Sequence, residues 1–332
     1  MLNTQPSTLN PQYSKLNPES YQRIVRWALF RHHLGSVFNR LQEQHIEFLV
    51  LKGWAFAGDL YPDLTPRSIS DVDLLLHPQD LQPVSSFLES QGYHSVSPNP
   101  HFTNAIQFEK DWVPLELTYT NPLGITIDLH THILPSPWSL PAYPIDMDDI
   151  WGASQPFSDW TGRPLQRLGW EHTILHLTTH ILRHNLGIQS PQSYQDLDRL
   201  LRKYGNQINY ESLMKTAPDW RLKTALYFTL RYCQELLATP FPPEWTHQHI
   251  PSPLRRKIIT TLIPFKAVRT RQPIPWLSSI LVKLLLIDRP IDIGKQILSS
   301  LFPTPATRYH ITGAPLSLPA YWRKIITIIL EK

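Results

Sequence analysis

The sequence predicts an α+β protein: a small mixed sheet with helices against it, followed by a largely helical C-terminal region. Three observations carry this. Short, mostly apolar runs at 47–51 and 71–76 read as buried strands, being too short for helices and bounded by polar or glycine turns. Residues 125–133 alternate, with Ile125, Ile127, Leu129 and Thr131 on one face and Thr126, Asp128, His130 and His132 on the other. Beyond about residue 165 the strand signal fades and apolar residues recur at helical spacing.

Taken in order, residues 1–18 are rich in Asn, Pro, Ser and Gln and read as a flexible tail. Residues 19–44 place Ile24, Trp27, Phe30, Leu34, Val37, Phe38 and Leu41 at helical spacing, with Asn17 or Ser20 as the cap. The strand 47–51 ends at Lys52-Gly53, a tight turn that opens a helix over 54–60. The strand 71–76 follows, then a helix over 78–91 ended by Gly92. Further strands are expected at 103–108, 115–120 and 125–133. A polar, proline-bearing stretch, 135–164, divides a unit spanning 19–150 from a helical one spanning 165–332. In the latter, helices are expected at 169–186, 193–204, 210–216, 221–238, 254–263, 278–287, 291–301 and 319–330.

Composition narrows the function classes. The 31 basic and 27 acidic residues leave a formal charge of +4, too small an excess for a dedicated DNA-binding protein. The one cysteine, Cys233, rules out an intrachain disulfide. The polar start resembles no signal peptide, and the most apolar run, 276–287, is broken by Lys283 and too short to span a bilayer. A cytoplasmic protein with no transmembrane segment is expected.

The informative segment is 49–76, LVLKGWAFAGDLYPDLTPRSISDVDLLL. Asp71 and Asp73 are two apart on a strand, so both carboxylates project to one side. Leu74, Leu75 and Leu76 follow, so the strand is buried on both faces. Paired carboxylates at the mouth of a buried strand repel and need a counter-charge. A divalent cation supplies it, and hard oxygen ligands suit Mg2+, with Mn2+ as the alternative. The Lys52-Gly53 turn lets backbone N–H groups approach a phosphate, and Lys52 adds charge. Arg67 offers a fork of donors to phosphate oxygens, and Ser70 a hydroxyl beside Asp71. Two-ion phosphoryl chemistry, with ions roughly 3.5–4 Å apart, wants a third carboxylate. Asp128, with His130 on its face, is the first choice and Glu116 the reserve.

This arrangement resembles the polymerase-β-like nucleotidyltransferase superfamily, whose pattern is a strand, a glycine turn, a helix, an acidic pair and a later third carboxylate. The nearer resemblance is to a bacterial nucleotidyltransferase family of mostly unassigned function. It rests on Leu51-Lys52-Gly53, Leu60-Tyr61-Pro62, Arg67, Asp71-Val72-Asp73-Leu74-Leu75 and Ile127-Asp128-Leu129-His130. Weaker likenesses are a histidine-rich helix at 172–184 and Asp196-Leu197 before Leu200-Leu201. One departure stands out: Gly53 is followed by Trp54, where the superfamily has Ser or Gly.

The resemblance implies a nucleotidyltransferase core with a helical region completing the acceptor pocket. It implies transfer of a nucleoside monophosphate from an NTP by a two-metal mechanism. Asp71, Asp73 and Asp128 would be the catalytic and metal residues, and Lys52, Gly53, Arg67, Ser70 and His130 would lie at the nucleotide. The acceptor is open among sugar or polysaccharide precursors, natural products, peptides and small molecules, favoured over nucleic acid on charge. Two other readings remain: a non-catalytic binding module on a degenerate fold, motivated by Trp54, and toxin-like nucleotidylation of tRNA or protein, motivated by the Lys-Gly turn. His172, His176, His180 and His184 recur every four residues, but the stripe drifts around a helix. They read as core or pocket-lining residues rather than one metal site.

Overall fold

The strand expected at 71–76 forms as β2, Val72–Leu76, and all five residues are buried. The computed structural model describes residues 18–62, 67–96, 113–134, 139–189 and 191–330. The strand expected at 103–108 and the tail lie outside the described residues, apart from Pro18. β2 runs antiparallel to β1, Phe48–Val50, and parallel to β5, Thr126–His130. With neighbours on both edges and helices on its faces, β2 has no solvent side, which is why its sequence does not alternate.

The sheet continues outward from β5 through β4, Glu116–Thr120, to β3, His94–Ser95. On the other side β1 pairs in parallel with β7, Pro164–Arg167, and β7 with the edge strand β6, Gln155–Ser158. The order is β3-β4-β5-β2-β1-β7-β6, a mixed sheet. Helix α1, Pro18–Glu43, turns Trp27, Phe30, Leu34, Val37, Phe38 and Leu41 inward. Phe38 stacks on Phe48 of β1 at 5.7 Å. Each such buried aromatic or aliphatic side chain contributes about 1.5–3 kcal/mol.

Three differences from the sequence expectation have physical reasons. The helix at the glycine turn, α2, spans Lys52–Phe56 and stops early, because Ala57 is extended and Gly58 has φ +75°. A Cβ at Gly58 would lie 2.6 Å from that of Trp160, so the chain closes there on a neighbouring loop. The 135–164 stretch carries a helix, α4, Met147–Gly152, and the β6–β7 hairpin, where only a link was expected. (Helix α3 is Leu81–Ser90.) Proline hid the hairpin: Pro156 sits on the edge strand and Pro164 begins β7, the two places where a strand tolerates a missing N–H. Asp159 organises its turn, with Oδ1 accepting from the backbone N–H of Thr161 at 2.8 Å and of Arg163 at 3.0 Å.

The later helices fall close to expectation. They include α5, Trp170–Arg183; α6, Gln192–Tyr204; α7, Tyr210–Asp219; and α8, Lys223–Leu237. α5 packs on α6, α7 and α8, and α8 packs on all three of the others and on the short helices Glu244–His247 and Phe265–Thr270. Short helices at Glu244–His247, Phe265–Thr270 and Pro305–Thr312 were not anticipated, being one or two turns long between prolines. No helix among the described residues is long and apolar enough to cross a membrane.

Candidate active site

The register of the sheet builds the site. β2 and β5 are adjacent and parallel, and Asp73 pairs with Asp128. Two steps along β5 puts His130 on the same side as Asp128, and two steps back from Asp73 puts Asp71 at the strand entrance. Ligand atoms of Asp73, Asp128 and His130 all lie within 4.8 Å of one another. With Asp71 and Lys52 they line one cavity of about 200 Å³.

The charges within it are unequal. Lys52 Nζ lies 2.7 Å from Asp73 Oδ1, and His130 Nε2 lies 3.1 Å from the same oxygen. Burial alone would raise the Asp73 pKa, but Lys52 and His130 outweigh it and hold the carboxyl well below the usual range. Burial depresses Lys52 and His130, and the Asp73 carboxylate overrides it, so both are raised. Asp128 goes the other way. Burial, then the charge of Asp73, push it up to about 7, against a hydrogen bond from Thr118.

One atom marks the site as incomplete in its own hydrogen bonding. Asp128 Oδ1 is buried and has no hydrogen-bond partner among the described residues. A buried orphan acceptor beside a second carboxylate and an imidazole fits a divalent cation. An imidazole in the donor set leans toward Mn2+ rather than Mg2+, whose ligands are oxygens.

The other sequence-marked residues divide. Ser70 donates to Asp71 Oδ1 at 2.8 Å. Glu116 lines the cavity but is paired to Arg183 at 2.8 Å, so Asp128 holds the inner position. Arg67 was expected at phosphate oxygens, and the structure places it elsewhere. Its Nε and Nη2 donate to the two oxygens of Asp196 at 3.1 and 2.9 Å, deep between the core and α6. Gly53 sits against the same guanidinium, since a Cβ there would lie 3.3 Å from Arg67 Nη1. Gly53 therefore makes room for an arginine; neither residue lines the cavity. Trp54 turns into the core, 5.6 Å from both Trp27 and Trp160, with its indole N–H donating to Asp159.

The histidine stripe splits as its drift predicts. His172 leaves the cavity for Asp149, at 3.1 Å, and stacks on Trp220. His176, His180 and His184 line the wall facing the carboxylates. Their i, i+4 spacing was the signal, and only the packing of α5 over the sheet tells which three face inward. Asp196 entered only through a weak family likeness and Asp59 not at all, because their ionic partners are over 100 residues away.

A mixed sheet that brings an Asp-x-Asp pair and a third aspartate to one metal-compatible cavity defines a nucleotidyltransferase-type core. Comparison with known families agrees: the family described as uncharacterised nucleotidyltransferase matches residues 4–238, most of the chain. The chain belongs to this family. No significant match to a curated protein was found.

Proposed function

We propose that the protein is a divalent-metal-dependent nucleotidyltransferase that moves a nucleoside monophosphate from an NTP to an acceptor. The observation that carries this is the in-register pairing of Asp73 with Asp128, whose Oδ1 lacks a partner. Asp71, Asp73 and Asp128 would hold the metal, with His130 closing the set. Mg2+ or Mn2+ in such a site supplies Lewis acidity at the attacking group and at the departing pyrophosphate.

The chain's own residues do the rest. Asp73 is now neutralised by Lys52. Once Asp73 has another counter-charge, the Lys52 ammonium is free to turn to the triphosphate, whose charge builds on the leaving group. Asp128 would also accept the hydrogen bond of the attacking hydroxyl and so help to orient it. The acceptor oxygen bonds to the α-phosphorus, the bond to pyrophosphate breaks, and the acceptor proton leaves through Asp128. Trp54, the motive for a degenerate module, belongs to the aromatic core and makes no claim on the cavity. The modest charge of +4 favours a small molecule or peptide acceptor over a long nucleic acid.

The test needs no acceptor. ATP, GTP, CTP and UTP are titrated calorimetrically, with Mg2+ or Mn2+, into wild type and an Asp71→Asn/Asp73→Asn double variant. Saturable, metal-dependent binding that the variant loses supports the reading and ranks the bases. Binding that the variant retains assigns the nucleotide to another site and overturns it.

A further inference from the structure

The wall opposite the carboxylates has no task in the chemistry described so far. It is the inner face of α5, and its polar residues are unusual. His176 is 4% exposed and lines the cavity; neither of its ring nitrogens makes a well-formed hydrogen bond among the described residues, and only the Ile133 backbone comes near enough to act on it. A buried imidazole nitrogen without a well-formed hydrogen bond costs stability. His180, one turn on, is fixed by Ser193 at 2.9 Å from its Nδ1. Thr179, between them, turns its hydroxyl to the His176 carbonyl at 2.8 Å and the Ile133 carbonyl at 3.3 Å.

We infer that this wall is a subsite for an uncharged, hydroxyl-bearing group of a substrate, with His176 as its hydrogen-bonding anchor. The inference rests on the nucleotidyltransferase reading for its substrates, but its geometry is independent of the metal. A neutral imidazole presents one N–H and one lone pair, and a hydroxyl presents the same complement. Phosphates and carboxylates present acceptors only, and here they would also face three aspartates. The cation on this wall, Arg183, is already paired with Glu116. A cationic group would meet Lys52. Burial first, and then the Lys52 charge, keep His176 neutral by lowering its pKa to about 3, and His180 is also lowered. Ile133 and Leu134 supply an apolar surface for the carbon face of such a group.

A hydroxyl of this kind has two sources, the ribose of the nucleotide or the acceptor. Three proteins separate them: wild type, His176→Leu, which removes the anchor, and His176→Gln, which keeps one donor and one acceptor. Thermal unfolding comes first. His176→Leu is expected to melt at or above wild type, because an unsatisfied polar group is gone from the interior. A clearly lower melting point would make His176 a structural residue and overturn the inference.

Binding is then read by calorimetry. One arm compares α,β-methylene ATP with its 2′,3′-dideoxy analogue, in the presence of Mn2+. The other titrates uncharged monosaccharides and polyols, beside their phosphorylated and carboxylate counterparts, without nucleotide. If the ribose is the source, wild type and His176→Gln prefer the ribonucleotide by roughly tenfold or more and His176→Leu does not. If the acceptor is the source, the two nucleotides bind alike and an uncharged hydroxylic probe loses at least that factor in His176→Leu. Equal binding of every probe by wild type and His176→Leu overturns the inference, as does preference for the charged counterparts. Loss of metal–nucleotide binding in Asp73→Asn, with the sugar arm intact, keeps this outcome separate from that of the transfer reading.

Discussion

Asp73 and Asp128 stand opposite each other in register on two parallel strands, yet their carboxyls differ widely in acid strength. Asp73 is held low by Lys52 and His130 against the burial that would raise it. Asp128 is pushed up to about 7 by burial and by the charge of Asp73. One oxygen of the pair thus has two basic partners, Lys52 and His130, while an oxygen of the other has no hydrogen-bond partner among the described residues.

That asymmetry sets a pH dependence for the metal-free protein. The folded chain holds a proton on Asp128 more tightly than the unfolded chain, whose ordinary value is 3.8. Stability from this group is therefore full below about pH 4 and is lost as pH rises to about 7. Denaturant midpoints measured in EDTA from pH 4 to 8 should fall with pH, and Asp128→Asn should flatten that slope. A slope unchanged by Asp128→Asn would remove Asp128 as its source.

His130 offers a second measurable consequence. If its imidazole joins Asp73 and Asp128 at the ion, the site should prefer Mn2+ to Mg2+ by about tenfold or more. His130→Gln should reduce Mn2+ affinity by roughly 10–100-fold and leave Mg2+ less affected. Mn2+ electron paramagnetic resonance reads both, including the nitrogen coupling that direct ligation produces. Equal Mn2+ and Mg2+ affinities in wild type would return His130 to the role it has now, a hydrogen bond to Asp73.

How much of this could be read from sequence depends on how local each cause is. The Asp71–Asp73 pair and the alternation around Asp128 are period-two signals within single strands, and both strands formed where expected. The meeting of Asp73 with Asp128 needs the β2–β5 register, which no short pattern encodes. Arg67 was misplaced for the same reason: a guanidinium near an acidic pair resembles a phosphate clamp, but its partner Asp196 is 129 positions away. The β6–β7 hairpin was hidden because proline at a sheet edge reads like a linker. Of the four histidines, spacing alone gave a shared stripe, and the packing of α5 decided that His172 serves Trp220 instead of the cavity.

The Arg67–Asp196 pair ties the segment before the acidic pair to α6. Tyr61 adds its hydroxyl to Asp196 Oδ1 at 2.7 Å, and Gln192 bonds to that hydroxyl at 2.9 Å. Removing one partner strands a buried charge, so Asp196→Ala or Arg67→Ala should cost about 3–5 kcal/mol in chemical denaturation. The paired replacement Arg67→Met/Asp196→Leu should cost less than either single change. If the double is worse than both singles, the pair contributes more than charge compensation.

Asp59 makes a second tie, from the end of the α2 segment to the helical region. Arg167 of β7 donates to its Oδ2 at 2.7 Å, while Lys203 and Tyr204 of α6 each reach Oδ1 at 2.6 Å. Burial would raise its pKa, but hydrogen bonds from Lys203, Tyr204 and Arg167 hold it low. Its contribution is therefore full above about 3.8 and is lost as pH falls through the lower folded value. Asp59→Asn should destabilise at pH 6, and the gap to wild type should narrow as pH falls below 3.8, in urea melts compared across that range. A constant gap at every pH would mean that shape, not charge, is what Asp59 supplies.

Gly53 gives a prediction that separates steric from phosphate-binding roles. A methyl group there would lie 3.3 Å from Arg67 Nη1 and 3.6 Å from Nη2. The Nε–Nη2 edge of that guanidinium is held by both oxygens of Asp196 and Nη1 donates to the Ser68 carbonyl, so it has little room to yield. Gly53→Ala should therefore destabilise the protein by about 1–3 kcal/mol. In the Arg67→Met/Asp196→Leu background the flexible thioether can move aside, so the same change should cost much less. If the cost persists there while nucleotide affinity falls in both backgrounds, the glycine is serving the backbone approach of a phosphate and not the arginine. If the cost vanishes and metal–nucleotide binding is unchanged, its place beside Lys52 is explained by packing alone.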